Sequence, residues 1–283
     1  MILKVAHTTE YIFKEPVFLE PHILRFHPRN DFRQRVLEYA LAIDPPPSGR
    51  NEWLDENGNI VESCWYSAMI GTFRLQATSI VEMKESKPFN FLVHPDYYLH
   101  LPVQSTTSPS LKPYLTMDEE DSDIDDIYLE LVKKSAGNSL DFLIASTAYL
   151  HSGIERIERE TGEALKPSQT LLQKRGSCRD ISVLHMELIR KAGIPARFVS
   201  GYLYISGNEQ NHELHAWVEA FLGGAGWIGF DATTGLAVIH NHMAVATGSL
   251  QSETLPVNGT YRGQASSDIK TNVEVSELTE YRR

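Results

Sequence analysis

Cysteine is almost missing from this chain: there are two in 283 residues, Cys64 and Cys178, far apart and in no CxxC pair. That leaves no disulfide framework and no thiolate cluster for a structural metal, and in a reducing compartment both should be free thiols. Long hydrophobic runs are missing as well. No uncharged apolar stretch approaches the roughly 18 residues that a membrane-crossing helix needs. The first ten residues, Met1 to Glu10, lack the charged start, apolar centre and small-residue cleavage site of a secretory signal. The expectation is a cytoplasmic protein with no membrane partner. Basic charge is scarce: 26 Lys and Arg face 37 Asp and Glu, a formal net charge of −11. Phosphate backbones are bound by clustered Lys and Arg, and no such block is present, so nucleic acid is not an expected partner. The oligomeric state is left open.

What is present divides the chain. Between Lys4 and Met83, short apolar segments (Val5 to Phe13, Arg35 to Ile43, Ile60 to Tyr66, Thr72 to Met83) alternate with prolines at 16, 21, 28, 45, 46 and 47 and with the Glu56-Asn-Gly-Asn59 turn. That punctuation, without helical periodicity, predicts an all-β, sandwich-like domain over residues 1–105. Residues 102–116, rich in Pro, Ser and Thr, read as an extended linker. Residues 106–137 are taken as linker plus a short helix stopped at Gly137. The acidic run Asp118 to Asp126 belongs to that helix's start and not to a calcium loop. Counted from Asp121, the sixth position is Asp126 where Gly is required, and the twelfth is Val132 where Glu is required.

From Ser139 to Glu160, apolar residues at Leu140, Leu143, Ile144, Thr147, Leu150 and Ile154 have helical spacing. Cys178 to Ala192 is a second helix, closed by Gly193 and Pro195. The period then falls to two, predicting strands over Arg197 to Ile205, Glu213 to Leu222 and Gly226 to Asp231, the last two joined by Gly223-Gly-Ala225. The overall class is therefore α+β, with a second core over 138–250 and a tail over 251–283. In the tail, Ile269 to Val275 alternates as a strand with no partner nearby in its own half, so it is expected to return to the N-terminal sheet.

Cys178 lies in Arg175-Gly-Ser-Cys-Arg-Asp180, at the start of an amphipathic helix and after two small residues. A thiol at a helix N-terminus meets the positive end of the dipole, which favours the thiolate that a nucleophile requires. A lone cysteine is weak evidence, since a free Cys is most often a small buried hydrophobe. His215 adds to it. On the alternating strand Leu214 to Leu222, His215 stands on the face carrying Trp217, Glu219 and Phe221. The antiparallel return places roughly 231 to 234 opposite His215, so Asp231 falls within one diagonal step of the imidazole. Cys178, His215 and Asp231 then have the element types of an activated thiol.

Other patterns carry less. Gly224-Ala-Gly-Trp-Ile-Gly229 matches GxGxxG, but it opens a strand and reads as a hairpin turn. His212 and His215 point to opposite faces of a strand and cannot chelate one zinc. His240 and His242 read as ordinary surface histidines. Trp217 and Trp227 suit a cleft wall or a core equally. No cofactor and no metal are expected.

Arg175 to Asp180 with its helix and Lys191-Ala-Gly-Ile-Pro-Ala-Arg-Phe-Val-Ser-Gly-Tyr-Leu203, then His215-Ala-Trp-Val-Glu-Ala-Phe221, then Gly226-Trp-Ile-Gly-Phe-Asp-Ala-Thr233, resemble the bacterial transglutaminase-like superfamily of papain-like thiol enzymes. Tyr11 to Val17, Pro28-Arg29, Ile43-Asp44-Pro45, and Asp55 with Gly58-Asn59 resemble the β domain that precedes this core in one bacterial branch. His242-Met-Ala-Val-Ala246 and Pro256 to Gly263 fit that branch too. Ala232 stands where relatives usually have Pro, and Gly248-Ser-Leu250 where they tend to have Gly-Arg-Asp-Tyr. The resemblance implies a papain-like core with Cys178 as nucleophile, His215 as base and Asp231 as its orienting residue. It implies acyl transfer from protein or peptide amides through a thioester, to water (a cysteine protease or amidase) or to an amine (a transglutaminase). A binding module that keeps the fold without the chemistry is the alternative.

Overall fold

The computed structural model describes residues 1–283 except 86, 99, 104–107, 118–121, 160–161, 207–213, 280 and 282–283. The acidic positions 118–121 and the His212-Glu213 half of the His212–His215 pattern thus lie outside the described residues.

The N-terminal part is built on one long strand, Ile2–Leu19, which pairs antiparallel with Ile70–Met83 on one side and with Ser267–Glu277 on the other. Gln34–Asp44 extends this sheet beyond Ile70–Met83. A second sheet runs in the order Val257–Asn258, His22–Leu24, Ile60–Trp65, Gly49–Leu54. Phe13, Val17, Leu19, Phe73 and Leu75 from the first sheet meet Leu24 and Cys64 from the second in one core, which makes the pair a sandwich. Alternation is the cause: along Ile70–Met83, Phe73, Leu75, Ala77, Ser79, Val81 and Met83 are buried and the residues between them are not. The Asp55–Asn59 turn is tied by the Asp55 carboxylate, which accepts from the Asn57 and Asn59 amides, and Gly58 supplies the positive φ of +71°.

The tail strand aligns residue by residue from Leu3↔Glu277 to Phe13↔Ser267 and buries Val273 and Val275. It covers what would otherwise be an open ladder edge.

The second half puts helices Ser122–Lys134, Ser139–Gly153, Pro167–Gln173 and Cys178–Lys191 before an antiparallel sheet. Its strand order is Leu236–Ala237, Gly226–Asp231, Leu214–Leu222, Ala196–Leu203, His242–Gly248. Ile181, Leu184 and Leu188 of the Cys178–Lys191 helix pack in one core with Ala216, Val218 and Ala220 of the sheet.

Three expectations change. The helix predicted to reach Glu160 ends at Gly153: Ile154 is extended (φ −120°), and Glu155–Arg156 makes a short parallel bridge with Arg175–Gly176. The 102–116 stretch is not simply an extended linker. Pro109 opens a 3₁₀ helix, Pro109–Leu115, that buries Leu111 and sends the Tyr114 hydroxyl to Asn57 Oδ1 at 2.8 Å. A short helix, Pro95–Tyr98, lies inside the nominally all-β region.

The two halves meet along the His242–Gly248 strand, which is at the edge of its sheet. The Asn59 side chain bonds both backbone groups of Thr247, accepting from N at 2.9 Å and donating to O at 2.8 Å. Gln34 does the same for Ala244. Leu3, Val5, Val81 and Met83 share a core with Tyr202, Met243 and Val245.

Candidate active site

The Cys178–Lys191 helix starts from a locked corner. Ser177 is the N-cap, and Asp180, three residues on, accepts from both the Ser177 amide and the Ser177 hydroxyl at 2.7 Å. The other Asp180 oxygen accepts from Leu165 N at 2.7 Å and from Arg159 at 2.5 Å. The carboxylate is fully buried with both oxygens engaged, so the first helical turn is fixed and Cys178, the first helical residue, is held with it. Cys178 is 8% exposed, its Sγ lies 3.9 Å from the Leu214 carbonyl, and the thiol is among the groups that raise the His215 imidazole. The Ser-x-x-Asp spacing ahead of an apolar helix was the available sequence signal for Asp180's role.

His215 lies near the start of its strand, and the observed register, Val218↔Phe230, puts Asp231 opposite Trp217, one diagonal step from His215. His215 Nε2 donates to Asp231 Oδ2 at 2.8 Å. Nδ1 is thereby left for the thiol. Thr233 N donates to Asp231 Oδ1 at 2.9 Å, which fixes the other end of the carboxylate. Burial alone would lower the His215 pKa; the Asp231 charge and hydrogen bond, together with the thiol, outweigh it and push the imidazole up to about 9. Burial would raise the Asp231 carboxyl, yet its histidine partners hold it well below the usual carboxylate range. The structure therefore brings Cys178, His215 and Asp231 together, with Cys64 buried in the other half, its thiol pushed up by burial to about 11.

His242 is where the sequence reading fails. It is 6% exposed, not a surface histidine, and its Nε2 lies 3.1 Å from the same Asp231 Oδ2. Its Nδ1 lies 2.8 Å from Asn241 Oδ1. His215, Asp231 and His242 put three donor atoms within 4.8 Å of one another, a grouping with the ligand types of a transition-metal site. The two imidazole–carboxylate hydrogen bonds account for that closeness by themselves. Trp217, 1% exposed, packs edge-on to His242 with centroids 5.2 Å apart and belongs to the support of the site. Trp227 instead carries the Arg197 guanidinium at 4.3 Å. Gly224 and Gly226 take positive φ in the hairpin turn. Ser249 feeds structure: its amide bonds Glu253, capping Gln251–Thr254.

A recess of about 410 Å³ is lined by Ala232, Thr233 and Ile181 together with His151, Arg156 and Lys174, and Cys178 does not line it.

Comparison with known proteins agrees with this architecture. Residues 3–82 match the bacterial transglutaminase-like N-terminal region, and residues 128–232 match the transglutaminase-like superfamily. An uncharacterized protein of Mycobacterium leprae is 24% identical across 98% of this chain and 99% of its own length. One of Mycobacterium tuberculosis is 25% identical across 96% of this chain and 91% of its own. The solved structure of a proposed cysteine protease from Cytophaga hutchinsonii superposes with a TM-score of 0.75 at 23% identity, covering all of this chain and 92% of that one. Residues 128–232 thus carry the transglutaminase-like superfamily core, with the bacterial N-terminal region of that group ahead of them, on a fold shared end to end with the Cytophaga protein.

Proposed function

We propose that this protein is a thiol enzyme that transfers acyl groups from protein or peptide amides through a thioester on Cys178. The observation that carries the reading is His215, whose Nε2 donates to Asp231 at 2.8 Å while the Cys178 thiol at the helix start acts on the same ring. His215 takes the thiol proton, and the Cys178 sulfur attacks the amide carbonyl carbon. The oxyanion forms beside the backbone N–H groups of the first turn of the Cys178–Lys191 helix. His215 then gives its proton to the leaving nitrogen, the C–N bond breaks, and an amine departs from the thioester. A water or a primary amine attacks next, loses a proton to His215 and releases Cys178. Asp231 keeps the imidazole in the orientation and tautomer that serve both transfers.

The test is turnover of a panel of peptide amides with and without a primary amine. Cys178→Ala and His215→Ala should each remove at least about 10³-fold of kcat, and Asp231→Asn should reduce kcat more than it changes KM. Retained activity in Cys178→Ala would refute the assignment.

A further inference from the structure

We propose that His242 is a positioning residue of the thiol site: it shares the Asp231 carboxylate with His215 and weakens the hold of Asp231 on the His215 proton, so that the proton stays transferable. The inference rests on the acyl-transfer reading above.

The geometry is specific. Two imidazoles direct Nε2 at one oxygen, Asp231 Oδ2, at 2.8 Å from His215 and 3.1 Å from His242. Oδ1 is taken by Thr233. Each additional donor drains negative charge from a carboxylate, so each weakens it as a partner for the others. His242 is aimed, not merely packed. Asn241 Oδ1 lies 2.8 Å from His242 Nδ1 while the Asn241 amide group donates to the Tyr204 carbonyl at 3.3 Å, which fixes the orientation of the Asn241 side chain. Trp217 closes the ring's face at an interplanar angle of 77°. Burial lowers the His242 pKa; with its proton on Nε2 the neutral ring brings one N–H to Asp231, and the charged ring adds a positive charge. Both compete with His215, so the sign of the effect is the same.

Such competition has a use. An imidazole in sole possession of a buried carboxylate holds its proton too firmly to give it to a leaving amine, and a general acid works best when its proton affinity lies near the working pH. His215 is already pushed up to about 9, with His242 in place. The other ionisable groups around the pair are Cys178 and His185 on the helix and Arg33 from the N-terminal half; Arg33 acts on His242 in the same direction as His215 does.

The test needs no substrate. Iodoacetate is an anion drawn by a protonated His215, so the rate at which it alkylates Cys178 in the full-length protein should be bell-shaped in pH, and the upper limb reads the loss of the His215 proton. In His242→Phe, which fills the space without donating, the upper limb should move upward by about one pH unit. His242→Gln, which restores one donor, should return most of the shift. An upper limb that is unmoved or lowered in His242→Phe overturns the inference, because mere loosening of Asp231 would lower it. Where His242→Phe does not fold, the donor-free His242→Met carries the same expectation. A wild-type protein with no upper limb overturns the thiol reading and this inference with it; a wild-type bell with an unshifted variant overturns this inference alone.

Discussion

Gln34 of the N-terminal half pairs both polar groups of its side chain with the backbone of Ala244: Ala244 N donates to Oε1 and Nε2 donates to Ala244 O, each at 2.8 Å. One side chain thus stands in for a neighbouring strand along the edge that carries His242 two residues earlier. With Asn59 on Thr247, it explains why the Asn59 turn is part of the N-terminal pattern. Gln34→Ala should leave two backbone groups of Ala244 without these partners and cost about 1–3 kcal/mol in denaturant unfolding. Hydrogen exchange at Ala244 should accelerate with it. Unchanged exchange at Ala244 would show that the pairing contributes nothing.

The pH dependence of stability follows from two buried histidines. Burial pushes His7 down to about 4 and His185 down to about 3 from the ordinary 6.5. Between those values and 6.5 the unfolded chain binds more protons than the folded one, so stability falls as the pH drops from about 6.5 toward 4. His215 has the opposite sign. Its folded pKa is raised to about 9, so its contribution is full below 6.5 and is lost as pH rises through 9. Denaturation midpoints should therefore peak near pH 6.5 to 7 and decline on both sides. His7→Gln should flatten the acid side; an acid side equally steep in that variant would remove His7 from the account.

The tail is part of the N-terminal sheet by hydrogen bonding. Ser267–Glu277 runs along Ile2–Leu19, and Val273 and Val275 enter a core with Leu3, Val5 and Tyr202. Truncation after Gly259 should expose that edge and increase hydrogen exchange in residues 2–13 as well as in the Ala196–Leu203 strand. Exchange unchanged in both places would make the tail dispensable.

Much of this was legible in the chain. Period-two alternation over Leu214 to Leu222 and a short Gly-rich turn fix the pairing register, and register alone puts Asp231 beside His215. The position of Cys178 at a helix start was readable from Gly176-Ser177 before the apolar stripe. His242 was not, because its burial is made by residues far away in sequence: the N-terminal half covers its strand through Gln34 and Asn59, and no local pattern in His240-Asn241-His242 signals that cover. The 102–116 stretch misled for a related reason. Its Pro and Ser content describes a chain without local preference, while Leu111 and Tyr114 find their partners across the fold.

The central claim is that Cys178 is an activated nucleophile aimed at a carbonyl, and the most direct measurement is covalent trapping. The full-length protein is treated near neutral pH with a limiting amount of a peptide carrying a carbonyl-directed thiol electrophile, and the modified residue is located by mass spectrometry. The account predicts one adduct on Cys178, formed rapidly at about pH 6 to 7, absent from Cys178→Ser and strongly slowed in His215→Ala. Label on Cys64 instead, or equal rates with and without His215, would contradict it.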